Sequence, residues 1–133
     1  MPPRPVRQAA AIPLRDGRVC LVTSRSGRRW VIPKGRIDPG HTPEEAALAE
    51  AWEEAGLVGV LAGGPVGTYD YEKYGLSHRV TVFVLAVREE YADWPERRSR
   101  TREWVTAEVA LERVEEPGLR ALLRGVLRPA ATT

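Results

Sequence analysis

The segment from residue 42 to residue 56 carries in its own sequence both the beginning and the end of a helix, and no other feature of this 133-residue chain constrains the fold as strongly. Thr42 suits the N-cap, Pro43 suits the first helical position, and Glu45 completes a capping box. Gly56 suits the left-handed conformation that ends many helices. The residues between them tolerate helix, so the sequence predicts a helix of about four turns.

Most of the remaining sequence predicts strands. Runs 6–14 and 18–23 flank Asp16-Gly17, a dipeptide typical of tight hairpin turns. Run 80–87 is almost continuously apolar, which predicts a central strand buried on both faces. Residues 34–41 are rich in glycine and proline and predict a loop. Further strands are predicted at 30–32, on both sides of Gly63-Gly64-Pro65 within 57–71, and at 102–106, with helical stretches at 108–115 and 119–127 separated by Pro117-Gly118.

Length and charge predict one domain over residues 1–133, with an ordered core of about 6–128 and frayed termini. The 20 basic and 18 acidic residues nearly balance, which argues against a nucleic-acid polymer as the partner. The longest apolar run, residues 82–87, is far too short to cross a bilayer, so no membrane partner is expected.

The cellular location is predicted from the N-terminus and the cysteine content. Residues 1–5 lack the apolar core of a signal peptide. Cys20, the one cysteine in the sequence, lies within a predicted strand and is expected to be a small buried hydrophobic residue. Both features favour a cytoplasmic protein that needs no disulfide bond.

Three glutamates on the predicted helix are the strongest chemical signal. Glu50, Glu53 and Glu54 are spaced i, i+3 and i+4, so their carboxylates project from one face. The helix contains no lysine or arginine to balance them. Hard oxygen ligands of this kind suit Mg²⁺ or Mn²⁺, and the carbonyl of Gly35 could complete the metal shell. The alternative is an ordinary charged helix face exposed to water.

The segment Pro33-Lys34-Gly35 favours the metal interpretation. It follows a predicted strand and begins a glycine-containing turn, which places the Lys34 ammonium and backbone N–H groups near the carboxylates. A cation and a metal ion that share one anion suggest a diphosphate or polyphosphate ligand. A spare carboxylate would orient or deprotonate the attacking water.

Residues 35–57, GRIDPGHTPEEAALAEAWEEAGL, resemble the Nudix box, whose pattern is G-x5-E-x7-R-E-U-x-E-E-x-G-U with U aliphatic. Two positions depart from the pattern, because His41 stands where the first glutamate belongs and Ala49 where the arginine belongs. In the family, that arginine orients a glutamate of the helix and the first glutamate supports the loop or the metal shell. The matching positions are Gly35, Glu50, Ala51, Glu53, Glu54, Gly56 and Leu57.

Flanking segments resemble the diphosphoinositol polyphosphate phosphohydrolase branch of the Nudix family, which also hydrolyses diadenosine polyphosphates. These segments are RWVIPKG at 29–35, SHR at 77–79, DWPE at 93–96 and REW at 102–104. The resemblance implies an α+β fold, an α/β/α sandwich with a mixed β-sheet and a loop-helix-loop metal site. It also implies a pyrophosphohydrolase that acts on acid anhydrides.

The resemblance assigns roles to individual residues. Glu50 and Glu54 would be metal ligands, and Glu53 would be the general base or a further ligand. Arg79 and Arg102 match positions where the branch places basic residues against phosphates. Lys34, Arg25 and Arg36 are neighbours of the box that would also contact the phosphates.

Three functions follow as expectations. The first is metal-dependent cleavage of a phosphoanhydride bond in diadenosine polyphosphates or diphosphoinositol polyphosphates by attack of water. The second is a Nudix pyrophosphatase for ADP-ribose, NADH or an oxidised nucleotide. The third is a degenerate, non-catalytic nucleotide-binding module, suggested by His41 and Ala49. In each case the expected partner is a polyanionic, phosphate-containing small molecule, bound by a monomer or a homodimer.

Overall fold

A computed structural model describes residues 3–127 and shows one mixed sheet between helices. The predicted termini at residues 1–2 and 128–133 lie outside this range. The strands are β1 (Val6–Arg15), β2 (Arg18–Thr23), β3 (Trp30–Val31), β4 (Lys34–Arg36), β5 (Leu57–Leu61), β6 (Gly67–Lys73), β7 (Leu76–Glu90) and β8 (Arg102–Val105). The helices are α1 (Pro43–Ala55), α2 (Ala107–Arg113) and α3 (Pro117–Val126).

The eight strands form one sheet whose main path runs β3-β2-β1-β7-β5. Strands β4, β6 and β8 pair with β1, β7 and β2 respectively. β1 and β7 are parallel, with Val6 opposite His78 and Leu14 opposite Ala86, whereas the other strand pairs are antiparallel. β7 borders β1 on one side and both β5 and β6 on the other, so its predicted central position is confirmed.

Side chains from the two faces of the sheet form two separate cores. Ala10 and Ile12 of β1 face a core that includes Leu119 and Leu123 of α3. Their neighbours Ala9 and Ala11 face a second core that includes the buried residues of α1. This alternation along β1 produces the predicted three-layer α/β/α arrangement with a mixed sheet.

Small residues bring α1 close to the sheet. Ala47, Ala51 and Ala55 recur on one face of the helix and are completely buried. They belong to the same core as Ala9 and Ala11 of β1, which are also completely buried. Methyl groups on both surfaces leave little bulk between helix and strand, so the polar side of α1 lies beside the neighbouring strand β4.

Two local predictions were wrong. Residues 34–36 form strand β4 rather than part of a loop, with Gly35 opposite Ala9. β2 pairs with β1 only near their shared hairpin, which leaves this part of the β1 edge free for pairing. Pro117 begins α3 instead of separating two helices, because proline lacks only an N–H that the first helical position does not use.

Other features follow the sequence predictions. Cys20 is completely buried, and burial raises the pKa of its thiol to about 12, so it is an inert core residue. In β7 both Val82 and Phe83 are buried, although Val84 and Ala86 are only half-buried. Within residues 3–127, every helix falls short of the length and apolarity that a membrane crossing requires.

The end of α1 generates a stability prediction. Gly56 has φ +67°, and a Cβ there would lie 2.9 Å from the Trp94 Cβ, whereas Gly63 has φ +82° and open space around it. We expect Gly63→Ala to lower the free energy of unfolding by about 1 kcal/mol, through backbone strain alone. Gly56→Ala adds overpacking and should cost roughly 2–4 kcal/mol. Urea denaturation of both variants measures the difference, and equal losses would contradict the tight contact with Trp94.

Candidate active site

One polar cavity is lined by the three carboxylates of the last turns of α1 and by most of the lysines and arginines near them. Its volume is about 510 Å³, and we call it the carboxylate cavity. It lies between α1, strand β4, the β6–β7 hairpin and the segment before β8. Its charged lining residues are Arg25, Arg29, Lys34, Arg36, Glu50, Glu53, Glu54, Lys73, Glu96 and Arg100.

The capping interactions of α1 determine which residues face this cavity. The backbone N–H of Glu45 donates to Thr42 Oγ1 at 3.1 Å, and the N–H of Thr42 donates to Glu45 Oε1 at 2.8 Å. This is the predicted capping box. Gly56 ends the helix in the left-handed conformation, and its N–H donates to the Trp52 carbonyl at 3.0 Å. With both ends determined, the last two turns present Glu50, Glu53 and Glu54 to the cavity.

Glu50 packs directly against the backbone of Gly35. A Cβ on Gly35 would overlap the Glu50 carboxylate, so only glycine leaves room for it. Desolvation, followed by repulsion from Glu54 and Glu53, raises the pKa of Glu50 to about 8. The protein therefore holds this carboxylate where its negative charge is unfavourable without a cation.

Glu54 is the buried charged residue of α1, with 6% of its surface exposed. The backbone N–H of Lys34 donates to Glu54 Oε1 at 3.4 Å, and Arg100 Nη2 lies 3.3 Å from Glu54 Oε2. Burial raises the pKa of Glu54 to about 7, although Arg100 and Lys34 oppose this shift. Its carboxylate thus links β4 to the segment that precedes β8.

Arg100 supplies the cation that α1 lacks. Its side chain is 7% exposed, and its Nε lies 3.0 Å from Glu96 Oε1. Its Nη1 donates to the carbonyl of Thr23 at 2.9 Å. The prediction that no protein cation balances these carboxylates is wrong for Glu54. Arg100 lies 46 positions beyond Glu54, so the spacing of residues along the helix could not predict this ion pair.

Glu53 differs from the other two carboxylates because its side chain is exposed at the cavity. Its backbone is held, since the N–H of Glu96 donates to the Glu53 carbonyl at 2.9 Å. The carbonyl of Glu54 accepts from Trp94 Nε1 at 3.0 Å in the same way. Hydrogen bonds from segment 93–100 therefore hold the backbone of the last turn of α1. The Glu53 carboxylate stays accessible to water and ligand.

The donor set fits a hard divalent cation, because it offers carboxylate oxygens beside the backbone of Gly35. Within residues 3–127, no three acidic, cysteine or histidine side chains already surround a point where an ion could sit. The carboxylates have different partners in the protein, since Glu50 packs on Gly35 while Glu54 pairs with Arg100. Glu50 nevertheless lies close enough to Glu54 and Glu53 for their charges to raise its pKa.

The cations predicted to bind substrate fall into two groups. Lys34, Arg25 and Arg36 line the carboxylate cavity. Burial lowers the pKa of the Lys34 ammonium, an effect that Glu54 opposes, and its Nζ lies 5.1 Å from the centre of the Tyr71 ring. An anion entering the cavity would meet this partly desolvated cation.

Arg79 and Arg102 are not among the residues that line the cavity. Arg79 Nε lies 3.0 Å from Asp70 Oδ1, and both side chains are exposed. Arg102 donates to the Ala55 carbonyl at 2.7 Å and lies 3.2 Å from Glu90, so it caps the end of α1. The structure does not bring Arg102 to the predicted site, because its guanidinium is already used in holding the helix.

Several cavity residues were missed by sequence reasoning. Arg29, Lys73, Glu96 and Arg100 all line the cavity, but they come from three separate segments. His78 Nδ1 donates a hydrogen bond to the Leu76 carbonyl at 3.0 Å, and its ring stacks on Tyr71 with the ring centres 4.7 Å apart. The available signal was the quoted segment DWPE, whose last residue is Glu96.

Sequence comparison finds a family model and curated relatives that match most of the chain. The NUDIX domain model matches residues 5–126. "Nudix hydrolase 16, mitochondrial" of Arabidopsis thaliana is 36% identical over 118 residues, covering 80% of this chain and 64% of the relative. Diphosphoinositol polyphosphate phosphohydrolase 3-alpha of Mus musculus is 40% identical over 101 residues, covering 74% and 60% respectively. The chain thus spans about three fifths of the length of these curated relatives.

Solved structures share the fold. An Ap4A hydrolase of C. elegans superposes with a TM-score of 0.76 at 22% identity, covering 92% of this chain and 96% of that one. A NUDIX hydrolase of Nitrosomonas europaea gives a TM-score of 0.77 at 18% identity, covering 92% and 88%. The domain match over nearly the whole described range, the relatives and the helix that carries Glu50, Glu53 and Glu54 agree, and the chain belongs to the Nudix family.

Proposed function

We propose that this chain is a metal-dependent hydrolase that cleaves a phosphoanhydride bond in diadenosine polyphosphates or diphosphoinositol polyphosphates by attack of water. The observation that carries this proposal is the arrangement of the carboxylate cavity. Glu50 and Glu54 are held by protein contacts, Glu53 is open to solvent, and Lys34 lies beside them. The printed names of the Mus musculus and C. elegans proteins support the substrate classes.

Each residue would have a distinct part in the reaction. A bound Mg²⁺ or Mn²⁺, held by Glu50, Glu54, Glu53 and the Gly35 carbonyl, would neutralise phosphoryl oxygens. Lys34, Arg25 and Arg36 would bind the phosphate chain through charge-assisted hydrogen bonds. A Glu53 carboxylate oxygen would take the proton from the attacking water, because this carboxylate is accessible. Of the other predicted cations, Arg79 could reach only an extended substrate, and Arg102 would act through the end of α1.

The alternative substrates, ADP-ribose, NADH and an oxidised nucleotide, share the same phosphoanhydride chemistry and remain proposals. The domain extent of 1–133, the cytoplasmic location and the choice between monomer and homodimer also remain proposals. The printed name of the Arabidopsis thaliana relative places that protein in mitochondria. A panel of substrates with product analysis distinguishes the substrate classes.

The catalytic assignment predicts a large effect at two neighbouring positions. We expect Glu53→Gln and Glu54→Gln each to lower Mg²⁺-dependent kcat at least about 100-fold, the range for losing a general base or its equivalent. Glu44→Gln is the matched control, because Glu44 is exposed in the first turn of the same helix and does not line the cavity. Release of nucleotides from diadenosine tetraphosphate, AMP with ATP or two ADP, measures the effect. Undiminished turnover in both site variants would refute the assignment.

The confined charge of Glu50 predicts opposite effects on stability and metal binding. Without metal at pH 7, Glu50→Gln should raise Tm by about 2–5 °C, because the Glu50 carboxyl ionises freely in the unfolded chain whereas its pKa is raised to about 8 in the folded chain. It should also reduce the rise in Tm that Mg²⁺ or Mn²⁺ produces in the unmodified chain. Thermal unfolding with EDTA and with metal measures both effects. A lower metal-free Tm would show that Glu50 is a structural residue.

The non-catalytic alternative rests on His41 and Ala49. Both are exposed, and the N–H of His41 donates to the Asp38 carbonyl at 3.1 Å. We expect the unmodified chain to be active and His41→Glu/Ala49→Arg to change its kcat/KM less than about tenfold, since Arg100 already pairs with Glu54. Activity that appears only in the double variant would instead establish a degenerate binding module.

A further inference from the structure

Strand β5 leaves one side of its backbone unpaired. Within residues 3–127, it ends the main strand path and pairs only with β7. Just after β5, the N–H of Ala62 donates to the Val84 carbonyl of β7 at 2.9 Å. Successive backbone groups of a strand point to opposite sides, so the N–H and C=O groups of Gly59 and Leu61 face away from β7. We call this unpaired side of residues 58–62 the β5 edge.

Other outer strands of the sheet are covered or charged. Trp30 of β3 forms an isolated bridge with Val114, which covers that strand. β6 carries three charged side chains, Asp70, Glu72 and Lys73. Charges on an outer strand oppose pairing with another chain. By contrast, residues 55–69, which include β5, contain no charged residue.

Exposed apolar side chains surround the β5 edge on both faces of the sheet. Leu61 packs against the core beneath α1, so Val58 and Val60 point to the opposite face, where they are 39% and 57% exposed. On the α1 face, the rings of Trp52 and Tyr91 lie 5.4 Å apart. Five of the eight exposed large hydrophobic residues in the described chain lie on β5 or next to its ends. They are Trp52, Val58, Val60, Val66 and Tyr91.

We propose that the β5 edge pairs with the β5 edge of a second copy of this chain, antiparallel about a two-fold axis beside Val60. Gly59 then lies opposite Leu61 of the second copy, and Leu61 lies opposite its Gly59. Each of these two pairs exchanges both backbone hydrogen bonds, which gives about four bonds across the axis. The two sheets become one continuous sheet through the dimer.

A second copy suits this edge because the arrangement is its own complement. Val60 meets Val60 of the second copy in a non-hydrogen-bonded pair, where side chains approach most closely. The uncharged segment 55–69 places no like charges opposite each other. The same patch serves both subunits, as in most two-fold dimers. β5 does not line the carboxylate cavity, so the dimer and the proposed hydrolysis are independent.

The first test places a charge on the axis. Sedimentation velocity of the full chain at increasing concentration should show a monomer–dimer equilibrium. Val60→Lys should weaken dimerisation at least about 30-fold, because two ammonium groups would lie opposite each other. Leu76→Lys, an exposed apolar strand residue outside the β5 edge, is the matched control and should dimerise like the unmodified chain. An unmodified chain that stays monomeric, or a Val60→Lys variant that still dimerises, would overturn the proposal.

The second test uses opposite charges at the same position. Val60→Lys and Val60→Glu should each be monomeric alone, and an equal mixture should form a dimer that contains one chain of each. This rescue is expected only if residue 60 lies opposite its own copy across the axis. A mixture that stays monomeric would overturn the proposed pairing.

Hydrogen exchange distinguishes strand pairing from contact through side chains alone. Concentrating the unmodified chain should slow exchange of the Gly59 and Leu61 amides at least about tenfold, because both become hydrogen-bonded in the dimer. The Ala62 amide, already bonded to β7, is the internal reference. In Val60→Lys the two amides should exchange at one rate whatever the concentration. Slowing at other amides but not at these two would overturn the proposal.

Discussion

The close packing of α1 on the sheet through alanines determines where every functional group lies. Ala47, Ala51 and Ala55 meet the small residues of β1, so helix and strand approach closely. The adjoining side of the helix then carries Glu50 and Glu54 against β4, where Gly35 leaves space for a carboxylate. A larger side chain on the buried face would separate these elements and take the carboxylates away from the backbone that holds them. An apolar contact between methyl groups thus determines the geometry of a polar site.

The charges of the site are balanced from outside the helix. The backbone N–H of Lys34 donates to one carboxylate oxygen of Glu54, whose charge the Lys34 ammonium also favours, and Arg100 lies 3.3 Å from the other oxygen. Within the described residues Glu50 forms no ion pair. Its pKa is raised further than that of Glu54. Over residues 3–127, the folded chain therefore pairs Glu54 with a cation and leaves Glu50 without one. This distribution favours a bound cation over a self-contained network of ion pairs.

Local features of the structure could be predicted from the sequence, and long-range ones could not. The hairpin at Asp16-Gly17, the capping box at Thr42 and the end of α1 at Gly56 were predicted, because each depends on neighbouring residues. Strand β4 was missed, since its formation depends on the free edge of β1. Long-range contacts also determine the different roles of Arg100 and Arg102, which lie two positions apart in the sequence. One reaches Glu54, whereas the other is used by the Ala55 carbonyl and Glu90.

The final turn of α1 has consequences for the order in which the molecule is built. Its three last carbonyls, those of Glu53, Glu54 and Ala55, accept hydrogen bonds from Glu96, Trp94 and Arg102. Acidic side chains are unfavourable at this negative end of the helix dipole, so the turn depends on these donors. A chain emerging from the ribosome contains the motif of residues 35–57 long before residues 94–102 exist. The last turn of α1 accordingly gains all of its hydrogen-bond donors only when segment 93–100 and Arg102 pack against it.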